Sequence, residues 1–249
     1  MLAFVLIFKT MLLARILYIF RSQPISKIIL FWVIFIQLLP LLYFTFSVKL
    51  LVFAALILAI NILSFLLEIR ADNVLKSRLT TIALAVPLLA AVAFTGPELT
   101  ESELVARSFA FLRMNGKMGI YFAENWLAFN IMMTGFLLAV TEVNVLLRTI
   151  FNWLDFAPKK EAEQANWIID KKAYNAGRII GMLERALVFI FVLHGQFGAI
   201  GFILVAKGIT RFKELEKRSF AEYVLIGTLM SALMALVLAL ITKTILQTI

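Results

Sequence analysis

The stretch LLVFAALILAINILSFLL, residues 50–67, decides what kind of protein this is. It carries no charged residue, and a helix of that length rises about 27 Å, close to the ~30 Å hydrocarbon core of a bilayer. Every face of such a helix is apolar, so run length and interrupting charges are better guides here than periodicity. Working outward, residues 28–46 form a second run of the same kind. The link at 47–49 is so short that the two runs must be an antiparallel helical hairpin. Residues 79–94 predict a shorter span, kinked or started near Pro87 and ended by Gly96 and Pro97. Residues 126–147 predict a span with a polar end at Glu142, Asn144 and Arg148, and 186–206 and 223–241 predict the last two. Residues 2–20 hold Lys9 and Arg15 inside an apolar run. They read either as a span with those side chains turned to protein or water, or as an interfacial amphipathic helix, with the span preferred.

The expectation is an all-α, polytopic transmembrane protein of about six or seven spans. It divides into N-terminal transmembrane helices at 1–95, an extramembrane segment and following span at 96–141 that suits a ligand-binding or gating cap, and a C-terminal module at 142–249. Composition agrees: 63% of the 249 residues are hydrophobic, 16% are charged and the mean hydropathy is +0.98, against roughly half and a quarter in soluble domains.

Composition also excludes chemistry. Without cysteine there is no disulfide, thiolate catalysis or iron–sulfur cluster, and one histidine, His194, leaves little for metal or imidazole acid–base work. No cofactor is implied. No nucleophile elbow, phosphate-binding glycine loop or cluster of metal ligands is present, so nothing points to an enzyme. Residues 1–21 do not read as a signal peptide, because they lack a basic start and a small-residue cleavage site. The net charge of +9 fits cytoplasmic anchoring against anionic lipid, with nucleic acid as the sharper alternative. Basic residues divide almost evenly between the two sides, so orientation stays open, with 152–175 placed in the cytoplasm.

The most informative residues lie in 142–241. Gly177 and Gly181 share a helix face; Gly195, Gly198 and Gly201 recur every three residues within the predicted span. Such glycines serve tight helix crossing, the preferred reading, or a bend opening on a water-filled cavity. Gln196 falls near mid-span, where its amide is interhelical glue or part of a ring around a pore; His194 faces the same choice. Glu184 and Arg185 at one end, and Lys207 and Arg211 at the other, bracket the span, and Glu222 opens the last helix. These charges are end anchors, or ion pairs whose rearrangement opens a path. The pore or gating candidates are therefore Glu184, Arg185, Gln196, Gly198, Gly201, Lys207, Arg211 and Glu222.

Two stretches mix cations with aromatic and amide side chains: Arg107, Arg113, Asn115, Lys117, Tyr121 and Trp126 in one, Lys171 and Lys172 in the other. Bases stack on rings while cations follow phosphates, yet an interfacial aromatic belt has the same composition and is the preferred reading.

The phrases NAGRIIGMLER (175–185), GQFGAIGF (195–202), and AK, RFKEL, AEY and IGTL between 206 and 229 resemble the C-terminal portion of a bacterial family of small membrane proteins of unknown function. The whole chain is similar to the channel effectors of Hailong anti-phage defence systems. The resemblance implies a homo-oligomeric ion channel in the bacterial inner membrane. It implies that a single-stranded DNA oligomer, made by a partner nucleotidyltransferase encoded nearby, holds the channel shut. A secondary transporter and a non-conducting scaffold are the alternatives.

Overall fold

The structure is a computed structural model. It describes the whole chain except Phe20, Ser22, Asp72, Asn115, 155–170 and 211–217, and except the side chains of Ile19, 171–176 and 218–220. Among the described residues the chain is helical, with a single isolated bridge pairing Phe44 with Glu101 and no strand. It divides into two compact units, Met1–Thr134 and Gly135–Ile249.

The first unit contains α1 (Leu2–Ile19), α2 (Lys27–Leu38) with a 3-10 turn (Leu39–Tyr43), α3 (Val48–Arg70), α4 (Val74–Phe94), α5 (Glu103–Met114) and α6 (Lys117–Glu124). Its helix starts are set by short polar side chains. Ser26 accepts from the Ile29 N–H of α2, Ser47 from Leu50 N–H of α3, and Asn73 from Leu75 and Lys76 N–H of α4, each satisfying a donor the helix itself leaves open. α1 packs on α2 and α4, and α3 packs on α2 and α4. α4 continues through Pro87, which lacks the N–H that the Ala83 carbonyl would otherwise bind.

The second unit follows from α7 (Trp126–Leu137), within which the division falls, through a π-helical turn (Leu138–Glu142) into α8 (Val143–Trp153), then α9 (Lys171–Leu193), α10 (Phe197–Thr210) and α11 (Arg218–Thr248). α9 packs on α10, α11 and the π turn. Ala139, Val188, Phe189, Val192, Ile200, Ala235 and Ala239 make the core there. Small residues at 139, 235 and 239 let these backbones approach, as membrane helices commonly do.

Among the described residues, four helices are long and apolar enough to cross a membrane: Val48–Arg70, Val74–Phe94, Trp126–Trp153 and Ala221–Thr248. Two of the expected spans are corrected. The 28–46 run is α2 and its 3-10 turn, an apolar element of Lys27–Tyr43 that falls short of that length, because Pro40 near the start of the turn ends regular α-helix. The 186–206 run is two helices rather than one, broken at residues 194–196.

Candidate functional site

The break has a local cause. Gly195 takes φ +71°, a conformation that costs other residues free energy through Cβ crowding. Its N–H binds the Val192 carbonyl at 3.1 Å, and Gln196 N–H binds Phe191 at 2.8 Å. This pair of bonds is the glycine helix stop of the Schellman type. α9 ends and α10 returns beside it, so His194, Gly195 and Gln196 form an exposed tip rather than the middle of a span.

The return brings Lys207 of α10 to Glu184 of α9, Nζ to Oε2 at 2.6 Å, with both side chains less than a fifth exposed. Sequence spacing had put these two at opposite ends of one span; the turn places them side by side. Gly198 and Gly201 of α10 have open space where a Cβ would sit. The preferred expectation of tight helix crossing therefore fails for them within this chain.

Arg185 is the other correction. Instead of anchoring an end, it is 4% exposed and grips the π turn. Its Nε donates to the Ala139 carbonyl and its Nη2 to the Val140 carbonyl, both at 3.0 Å, and Nη1 reaches Ser231 Oγ at 3.3 Å. A π turn displaces the regular ladder of carbonyl acceptors, and in an apolar surround such acceptors need donors. Arg185 supplies them.

Beside this clamp a cavity of about 220 Å³ opens between α8, α9, α10 and α11. Arg148, Arg178, Arg185, Lys207 and Glu184 line it, with Asn144, Tyr223, Thr228 and Ser231 as neutral hydrogen-bonding groups. Gly177, Gly181 and Gly227 complete the wall, and a Cβ at Gly227 would meet the Phe151 ring at 3.4 Å. Glu222 is exposed in α11, one turn after the helix begins. Arg211 lies outside the described residues.

Of the basic–aromatic candidates, Arg107, Arg113, Lys117 and Tyr121 are exposed on the α5–α6 hairpin. Arg107 pairs with Glu103 at 2.6 Å across one helical turn, and both side chains are largely exposed, as in a weak surface pair. Trp126 is not an open stacking face. Tyr43, Phe109, Phe122 and Phe129 surround its ring, and Lys9 lies 5.8 Å from the ring centre. Asn115 lies outside the described residues, and so do the side chains of Lys171 and Lys172.

The first unit buries a charge network that span counting missed. Arg78 Nε meets Glu68 Oε1 at 2.9 Å with both side chains fully enclosed. Arg78 also donates to the carbonyls of Arg21 and Gln23, at 2.8 and 3.2 Å, and Glu68 accepts from Ile25 N–H at 3.0 Å. Arg15, 2% exposed, donates to Tyr18 Oη and the Arg78 carbonyl. Glu68 and Arg78 flank the corner between two apolar runs and so look like end charges in the sequence. Elsewhere, Asn61 of α3 donates to Gln37 of α2 at 2.7 Å.

No family model, curated protein or solved structure matches this chain.

Proposed function

We propose that the chain is one subunit of a homo-oligomeric ion channel of the bacterial inner membrane. In this reading it is an anti-phage effector held closed by a single-stranded DNA oligomer from a partner nucleotidyltransferase. The observation that carries the conducting part is the α9–α10 hairpin. α10, Phe197–Thr210, has 14 residues and rises about 21 Å, short of the ~30 Å of hydrocarbon. Polar, non-helical backbone at a tip like His194–Gln196 is tolerated in a membrane only against protein or a water-filled path. Symmetry would turn one Gln196 amide per subunit into a ring, and Gly198 and Gly201, bare in a single chain, leave room for a neighbouring copy's backbone. The DNA part is supported by the resemblance described above and by the exposed Arg107, Arg113, Lys117 and Tyr121 of the α5–α6 hairpin.

The test is ion flux through liposomes holding the purified chain, with and without a short oligodeoxyadenylate. Flux that the oligomer suppresses supports the proposal. Absence of flux under every condition removes the channel. The charged cavity beside Arg185 favours a second reading, an anion transporter working around a central site. Single-channel current steps distinguish the two, since a transporter turns over far too slowly to produce them.

A further inference from the structure

The cavity between α8, α9, α10 and α11 points to a ligand of its own, and the inference holds whether the protein is a channel or a transporter. Among the described residues, four cations, Arg148, Arg178, Arg185 and Lys207, line it together with one carboxylate, Glu184. Guanidinium groups suit planar, multi-oxygen anions because they present several donors in a fixed fork. Neutral donors complete the lining, among them Tyr223, Thr228 and Ser231. At about 220 Å³ the cavity falls below the ~300–1,000 Å³ typical of drug-sized ligands, which suits a small anionic group rather than a whole cofactor. The helices that bound it keep apolar outer faces: Ile179, Ile180 and Leu183 on α9, Leu225 and Leu229 on α11, are all half or more exposed or close to it.

We propose that this cavity binds a phosphate group, with Lys207 and Arg148 as its leading donors and Arg185 as the fixed cation at its floor. In the proposed complex the phosphate competes with Glu184, which pairs with Lys207 at 2.6 Å, for that ammonium. The adjoining apolar faces suit the acyl chains of an anionic phospholipid; a soluble phosphate ester would offer the same oxygens without tails.

The test uses the full chain in neutral detergent, with phosphatidylglycerol, phosphatidylcholine and inorganic pyrophosphate as probes, read by native mass spectrometry and by thermal unfolding. The expected result is saturable binding of phosphatidylglycerol that the double variant K207Q/R148Q weakens about tenfold or more, as loss of charge-assisted bonds requires. K27Q, which removes one exposed charge from the start of α2 instead, should leave binding unchanged. Pyrophosphate binding with the same variant dependence, without phosphatidylglycerol binding, supports the site and assigns it a soluble ligand. Binding equal in the double variant and wild type, or no saturable binding of either anion, overturns the proposal. Should the double variant fail to fold, photoactivatable phosphatidylglycerol on the wild-type chain decides. Cross-links on α9 and α11 near Gly181 and Tyr223 support the site, and cross-links confined to other helices overturn it.

Discussion

Arg78 is the residue on which the first unit turns. Its guanidinium meets Glu68 and two backbone carbonyls with no solvent exposure. Bringing two charges out of water is costly, so such a pair adds little net stability, but removing one partner leaves the other stranded. Glu68→Gln should therefore lower stability by about 3–5 kcal/mol, seen as a markedly lower unfolding temperature in detergent. An unchanged transition would show that Arg78 does not depend on Glu68. Gly195 invites a contrast with its neighbour. Gly195→Ala forces a Cβ into φ +71°, at a cost of about 1–2 kcal/mol, whereas Gly198→Ala meets nothing of its own chain within 4 Å and should leave the stability of the dissociated single chain as it is. Equal unfolding temperatures for the two variants would argue against the glycine stop. In the sequence both positions are members of one glycine series; only backbone conformation separates them.

At the scale of elements, the α5–α6 hairpin depends on Gly119. A Cβ there would collide with the Leu112 carbonyl oxygen, which is backbone and cannot turn aside. Gly119→Val should splay the two helices and speed amide exchange across Glu103–Glu124 while leaving α3 protected; unchanged exchange would remove Gly119 from the packing. The α9–α10 hairpin carries the functional prediction. Gln196→Leu should change conductance in liposomes without changing assembly, and identical currents would take Gln196 out of the path. The elements themselves were largely readable. Apolar run length gave α3, α4 and the helix begun at Trp126, since hydrocarbon thickness acts on any helix in the same way. The 186–206 run misled because length and composition look identical whether a chain crosses or turns back. The available sign was Gly195 followed by a polar residue, which read as a packing glycine when it is a helix stop.

For the whole molecule, the proposal requires assembly and a ligand. Mass measurement in nanodiscs should find several subunits together; a monomer that still conducts would remove the need for a Gln196 ring. If oligodeoxyadenylate sits on Arg107, Arg113 and Lys117, three phosphate contacts on a single strand give a slope near −2 in log affinity against log salt. Affinity should then fall by about 20-fold between about 50 and about 200 mM salt. Salt-independent binding would place the contact elsewhere.

Residues 50–67 and their companions determined, by themselves, that this chain belongs in a membrane, because burying uncharged helices of bilayer length in lipid is a property of local composition. The polar starts at Ser26, Ser47 and Asn73 were equally local. The partners of the buried charges were not. Glu184 meets Lys207 only because Gly195 turns the chain, and Arg185 finds Ala139 and Val140 only because a π turn frees their carbonyls. A charge in an apolar surround must find some partner, which composition requires; which partner it finds depends on how distant helices cross, and only the tertiary structure decides that.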